Sequence, residues 1–399
     1  MRKFKVAIMT TNYLPNVGGL VSYAQSLSKS CIKTSSFDIY CTNGGDRTLS
    51  KNEDMDGVNV HRASMNNFRF FLFSPLVLFI TILCQVVRNY KNLASIDLIV
   101  VRHFYYAAVI SLFPDLNKKS VFLAPLIAEK LYKINSQNDR GFLKKCYNHV
   151  VIMLIKIIEN RAFKKSRYIS VLSKSKKNEV EHYFSLNKVE VIYPGFDTER
   201  FNTNDIKAQD VEESFTKFVN LAKKENRTII LSVCRLVEEK NINTLINALS
   251  LKNQYALVVV GDGPLYQELK DKAQSKLDFS YFAGFKKSVE IYYKASDIFV
   301  LPSTYEGFGH VYLEALGCGL PVVGLKSRPP EIITATEEII MDGVNGSVVD
   351  LNTPSSFIEA IECTKNLNIS KTEISCKALD RFSWDKHLEN IIRVISYDR

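Results

Sequence analysis

The stretch Asp297-Ile-Phe-Val-Leu-Pro302-Ser-Thr-Tyr-Glu306-Gly-Phe-Gly309-His-Val-Tyr-Leu-Glu314 carries both the fold and the chemistry of this chain. Its first five residues form a short apolar run with β-branched and aromatic side chains, the pattern of a strand buried on both faces. Pro302 cannot continue a central strand. Gly307 and Gly309 mark a loop before a helix predicted over 310–318. A glycine loop and a helix start bring unpaired backbone N–H groups and a positive dipole end close to two carboxylates, Glu306 and Glu314. Such N–H groups suit phosphates, and carboxylates accept hydrogen bonds from sugar hydroxyls. On spacing alone, the same residues equally suit a plain strand–loop–helix joint with two solvated glutamates.

The same alternation extends outward in both directions. Residues 228–234, 255–261 and 279–284 read as further buried strands, with helices predicted over 241–251, 264–277, 286–296 and 354–366. Upstream, strand-like runs lie at 5–10, 37–41, 58–62, 97–102, 120–124 and 168–172, with helical patterns between most of them. Strands alternating with helices imply α/β architecture with largely parallel sheets covered on both faces. A length of 399 residues suggests two such domains. The turn-rich segment Val191-Ile-Tyr-Pro-Gly-Phe-Asp197 and its continuation separate them. The expected layout is a first domain over 1–190, a linker over 191–210 and a second domain over 211–375. A C-terminal segment, 376–399, would supply a helix that could pack back on the first domain. Ligands of open α/β sheets bind beyond the carboxyl ends of the strands, so a cleft between the domains is the expected site.

The run from Pro302 to Gly324 resembles the Glu-x7-Glu signature of retaining glycosyltransferases of the GT4 family, glycosyl transferases group 1. Ser232–Asn241, Val258–Leu265, Tyr281–Phe285 and Tyr292–Ser303 follow in the family's order, as do Val189–Phe201, Glu338–Asp350 and Phe382–Ile395. The resemblance implies a GT-B fold, two Rossmann-like doubly wound domains facing across a cleft. It implies that Arg235 and Lys240 bind the donor diphosphate, that Glu306 contacts the transferred sugar and that Glu314 accepts the ribose hydroxyls. Gly307, Phe308 and Gly309 would supply backbone contacts, with Gly261 in the Gly-Asp-Gly-Pro turn also on the donor side. Gly18 and Gly19, after the first strand, would face the donor phosphates from the other domain.

The family's usual His after the strand at 120–124 is missing here, where the chain reads Val121-Phe-Leu-Ala-Pro125-Leu-Ile-Ala-Glu129-Lys130. His103, after the preceding strand, is the substitute candidate for a catalytic contact, with Glu129 and Lys130 behind it. The implied reaction moves a hexosyl unit from a UDP- or GDP-sugar to a hydroxyl of a saccharide acceptor, with retention. The basic first half and its amphipathic segments suggest, apart from the resemblance, a lipid-linked saccharide acceptor, with polyprenyl as the candidate carrier, in surface polysaccharide synthesis of the O-antigen or capsule type. No Asp-x-Asp motif stands in the expected place, so no divalent metal and no cofactor beyond the nucleotide sugar is expected. The alternatives are a sugar-nucleotide 2-epimerase of the same fold and a non-catalytic relative that binds nucleotide sugar or scaffolds an assembly.

Charge is uneven. Residues 1–200 carry 29 basic and 15 acidic side chains, a net +14, whereas the remaining 23 basic and 27 acidic give −4. A basic first half suits an anionic surface. Lys144–Lys177 holds ten basic residues and one acidic one among apolar side chains. Residues 68–87 form an apolar segment interrupted by Arg69, Pro75 and Gln85, and read as a buried or interface-lying helix rather than a span. Peripheral contact with the inner face of the cytoplasmic membrane is the expectation. Nucleic acid is not expected, because no reader motif accompanies the charge. Eight scattered cysteines lack metal-ligand spacing and fit a reducing, cytoplasmic setting, and the short first strand is no signal peptide.

Overall fold

A computed structural model describes residues 3–16, 19–65, 74–125, 127–130, 132, 142–204 and 212–396. The chain forms two compact units, Met1–Gly195 with Trp384–Arg399, and Phe196–Ser383.

The first unit is built on an eight-stranded sheet. Its strands are β1 (Phe4–Met9), β2 (Ser35–Thr42), β3 (Asn52–Met55), β4 (Val58–Ala63), β5 (Leu98–Val101), β6 (Ser120–Leu123), β7 (Tyr168–Val171) and β8 (Val189–Val191). They lie in the order β3-β4-β2-β1-β5-β6-β7-β8. Among these described strands, only the β3–β4 pair is antiparallel. The order reverses between β1 and β5, the switch point at which open sheets leave a crevice.

One face of this sheet is covered by the helices Gly19–Cys31 and Trp384–Ser396, which share a core with Val6, Ile8, Ile39 and Val100. The opposite face carries Ser74–Arg88, Phe104–Ile110 and Phe142–Lys165 over Met9, Ile99 and Phe122. The C-terminal helix is anchored by three local fits. A Cβ on Gly195 would lie 2.5 Å from the Trp384 backbone nitrogen, so only glycine admits the Trp384 ring there. His387 Nδ1 lies 2.6 Å from the Tyr193 carbonyl and Nε2 lies 2.7 Å from the Tyr23 hydroxyl. A carbonyl can only accept, so Nδ1–H is the donor to Tyr193, which leaves Nε2 to pair with the phenol. The boundary differs from the sequence reading at 376, because Lys371–Phe382 is a helix of the second unit and the chain crosses at 383/384.

The second unit holds β9 (Thr228–Val233), β10 (Tyr255–Val260), β11 (Ser280–Gly284), β12 (Ile298–Leu301), β13 (Val322–Leu325) and β14 (Gly346–Val349). The sheet is wholly parallel, in the order β11-β10-β9-β12-β13-β14. Every residue of β9, β10, β12 and β13 is buried. Burying each Val, Leu or Ile contributes about 1.5–3 kcal/mol, which is why the runs of β9, β10 and β12 read so clearly as strands. The switch between β9 and β12 places the loops after both strands side by side.

Four strands escape the sequence reading: β3, β8, β13 and β14. Each has three or four residues, and β3 is Asn-Glu-Asp-Met, an edge strand with no apolar pattern. The helix of the apolar segment starts at Ser74; residues 68–73 lie outside the described residues. Among the described residues, no helix is long and apolar enough to cross a membrane.

Candidate active site

The site of the second unit is assembled from loops at the carboxyl ends of β9, β10 and β12. After β12, Pro302 and Ser303 are buried, and the loop is held from two sides. Thr304 N–H donates to the Glu239 carbonyl at 2.8 Å, and the Ser303 hydroxyl lies 3.1 Å from the same oxygen. On the other side Glu306 N–H donates to Ile333 O, and Ile333 N–H donates to Thr304 O, each at 2.8 Å. Four backbone-directed bonds over three residues leave Glu306 little freedom.

Gly309 ends the loop with φ +95°, left-handed backbone that favours glycine. A Cβ there would lie 2.7 Å from the Tyr312 ring. The helix His310–Gly317 follows and carries Glu314 on its second turn. Gly307 is exposed, with nothing within 4 Å of the position a Cβ would take. Phe308 turns its ring into the core, near Phe382, so only its backbone is available to a ligand.

Lys240 lies in the short turn Glu238–Lys240 after β9. Its ammonium donates to Glu306 Oε2 at 2.7 Å and approaches the Tyr305 carbonyl at 3.3 Å and the Ser303 hydroxyl at 3.5 Å. Arg235, from the same loop, is exposed and its guanidinium has no hydrogen bond or ion pair among the described residues. Its backbone is fixed by the neighbouring turn: Leu236 N–H donates to Asp262 O at 2.9 Å, and Leu265 N–H donates to Leu236 O at 3.1 Å. Gly261 makes this possible. With φ +136°, a Cβ there would fall 1.8 Å from the Cys234 carbonyl oxygen. Gly261 thus places the Arg235 loop by close backbone packing.

Glu314 is partly buried and accepts a 2.9 Å hydrogen bond from the Tyr293 hydroxyl. Burial pushes its carboxyl up to about 7, against the bond from Tyr293 and the charge of Arg200; Glu290 and Asp197 raise it further. Tyr293 and the carbonyls of Glu239 and Ile333 were not legible as site elements, because no short motif marks them.

The structure thus brings Arg235, Lys240, Gly261, Glu306, Gly307, Phe308, Gly309 and Glu314 into one unit. Gly19 and His103 belong to the other, and Gly18 lies outside the described residues. Gly19 begins its helix in open space. His103 is the N-cap of Phe104–Ile110: Nδ1 accepts from Tyr105 N–H at 3.4 Å, and the ring stacks on Phe104 and Tyr105. Burial pushes its imidazolium down to about 4, so the ring is neutral near pH 7. Glu129 is buried and accepts from the Tyr183 hydroxyl at 2.5 Å, and Lys130 pairs with Glu179 at 2.9 Å. Among the described residues no group of three His, Cys, Asp or Glu is placed to hold a metal ion.

Residues 213–395 match the family model of glycosyl transferases group 1. The chain is 25% identical over 420 residues to an uncharacterized glycosyltransferase of Methanocaldococcus jannaschii, covering 99% of this chain and 98% of the relative. It is 29% identical over 223 residues to an Escherichia coli UDP-Gal:alpha-D-GlcNAc-diphosphoundecaprenol alpha-1,3-galactosyltransferase, covering 53% of this chain and 54% of that one. The fold matches that of Anabaena HepE in complex with UDP-glucose, with a TM-score of 0.63 at 18% identity over 98% of this chain and 99% of HepE. The protein is a glycosyltransferase of the α/β, two-domain GT-B fold. Its residues 213–395 form a glycosyl transferases group 1 domain.

Proposed function

We propose that the enzyme moves a hexosyl unit from a UDP- or GDP-sugar to a hydroxyl of a saccharide acceptor, with retention at the anomeric carbon. The observation that carries this reading is the set Arg235, Lys240, Glu306 and Glu314, two cations and two carboxylates around a glycine loop at the β9–β12 switch point. Arg235 and Lys240 meet the diphosphate and stabilise the charge that grows on it as the sugar leaves. Glu306 accepts a sugar hydroxyl, Glu314 accepts the ribose hydroxyls, and the backbone of Gly307–Gly309 lies against the sugar and phosphates. In the transfer, the bond from the anomeric carbon to the phosphate oxygen breaks while the acceptor oxygen bonds the same face. The acceptor's proton passes to the departing phosphate oxygen. No proton transfer is assigned to His103, whose Nδ1 caps a helix, and no divalent metal is invoked.

Two similar proteins support the donor and acceptor classes: HepE, in complex with UDP-glucose, and the Escherichia coli relative, with its diphosphoundecaprenol-linked acceptor. By that reading the acceptor here is a polyprenyl-linked saccharide of a surface polysaccharide. The basic first unit then works as a peripheral protein on the cytoplasmic face of the membrane.

Thermal denaturation with UDP, GDP and ADP tests the donor side, because a ligand of the native state raises its stability. UDP or GDP is expected to raise Tm, and Glu306→Ala to abolish transfer to lipid-linked saccharide extracts. Absence of stabilisation by all three nucleotides sinks the reading. Conversion of the nucleotide sugar without any acceptor would instead identify an epimerase.

A further inference from the structure

The helix Ser74–Arg88 is apolar on more than its inner face. Ile82 and Val86 are buried against the first unit, with Leu78, Phe79 and Leu83 packed beside them. Yet Leu76, Ile80 and Val87 stand 41%, 48% and 55% exposed, with Cys84 exposed between them. Spacings of four, four and three residues put these side chains on one stripe. A helix that is hydrophobic all round belongs inside a protein or against lipid. An exposed apolar stripe marks an interaction surface.

Beside this stripe lies a pocket of about 420 Å³, lined by Lys51, His61, Arg62, Arg88, Ile80 and Cys84 among others. Among the described residues, no carboxylate lines it. Arg62 is buried and already answered, by the Glu53 carboxylate and the Ser50 and Leu14 carbonyls. The floor residue Gln85 uses its amide on the carbonyls of Cys41 and His61 and accepts from Tyr106. Lys51 and Arg88 differ: both are exposed, and neither side chain has a hydrogen bond or ion pair among the described residues. Two exposed cations that line a pocket with no carboxylate among its described residues suit an anion. Ile80 belongs to both the pocket and the stripe, so anion and apolar surface meet at one residue.

We propose that this pocket takes the phosphate-bearing headgroup of an anionic membrane lipid between Lys51 and Arg88, with Leu76, Ile80 and Val87 lying at the acyl boundary. A phospholipid presents a phosphate immediately beside hydrocarbon, which is the juxtaposition the surface offers. A protein partner would need its own acidic group beside an apolar ridge. The inference deepens the peripheral-membrane part of the proposed function by giving it a site.

The test is flotation of the full chain with vesicles of phosphatidylcholine alone or doped with phosphatidylglycerol. Binding to the doped vesicles is expected, and each cation lost lowers it about five-fold, since a basic residue near an anionic surface contributes about that factor. Lys51→Glu with Arg88→Glu should therefore weaken binding by more than ten-fold. Leu76→Ser with Ile80→Ser should weaken it at low salt as well, where charge alone would suffice. Vesicle binding unchanged in the charge variant overturns the pocket but leaves membrane contact standing. A Tm rise with inorganic phosphate that Lys51→Glu removes, without vesicle binding, identifies a soluble-anion site and overturns the lipid. Concentration-dependent dimerisation lost in Leu76→Ser, again without vesicle binding, does the same. Stabilisation by UDP or GDP, read in every variant, reports the second unit separately, so the donor reading stands or falls on its own.

Discussion

The Lys240 ammonium lies 2.7 Å from Glu306 Oε2 although 66 residues separate them, and both side chains are about four-fifths buried. In the free enzyme, the cation proposed for the diphosphate and the carboxylate proposed for the sugar neutralise each other. On these proposed roles a complete donor would satisfy both at once, the phosphate taking Lys240 and a sugar hydroxyl taking Glu306. A nucleoside diphosphate without its sugar would take Lys240 and leave Glu306 without that counter-ion. The pair would then favour donor over product and help the product to leave.

This predicts opposite effects at the two residues. Glu306→Gln should tighten UDP or GDP binding up to about five-fold, the worth of a modest ion pair, while transfer is lost. Lys240→Met should weaken it by about ten-fold or more, as expected when a hydrogen bond to a charged group is removed. Isothermal titration of both variants decides; equal weakening in both would sink the competition.

Glu314 links the site to pH. Its carboxyl rises in the fold to about 7 from a usual 4.5, with burial as the main cause. Between these values the folded state holds the extra proton, so this group's contribution to stability falls as pH rises from about 4.5 to 7. Donor affinity should run the other way, strengthening as the carboxylate forms and can accept the ribose hydroxyls. Because Glu159 in the first unit is also pushed up to about 7, again by burial, the difference between wild type and Glu314→Gln is the proper readout. Denaturant titrations and nucleotide binding from pH 5 to 8 should show both slopes reduced in the variant.

Gly261 separates packing from chemistry. Gly261→Ala drives a methyl into the Cys234 carbonyl and strains a backbone with φ +136°. A loss of about 3 kcal/mol or more is expected. The displaced Cys234–Leu236 segment should carry Arg235 with it, lowering nucleotide affinity even at temperatures where the variant stays folded. Circular dichroism melts and titrations together check this.

His103 makes a cap, and the prediction follows from that role. His103→Ala should cost about 1 kcal/mol through the lost Tyr105 N–H bond. His103→Asn, with a side chain that caps well, should recover both stability and transfer rate. A stable Asn variant with no transfer would restore His103 to the chemistry.

The long apolar strands were legible because burial on both faces demands it: β9, β10 and β12 read directly from runs such as Thr228–Val233. The glycine loop with Glu306 and Glu314 was legible too, since a strand end, two glycines and a helix start lie within a dozen residues. β3 and β14 were not, because a short edge strand takes its identity from the partner it pairs with. Spacing alone left Glu306 an even match for a solvated loop residue. Only the parallel crossover, which sets the loop after β9 beside the loop after β12, gives it Lys240 as a counter-ion. The carbonyls of Glu239 and Ile333 hold it there. The pocket at Lys51 and Arg88 joins a hairpin edge to a helix in the same way. By itself the sequence determined which segments must be buried and which residue types surround the glycine loop, because those are local consequences of hydrophobicity and backbone freedom. The pairing of Lys240 with Glu306, the burial that raises Glu314 and the capping duty of His103 depend on atoms far apart in the chain. Only the tertiary structure could decide them.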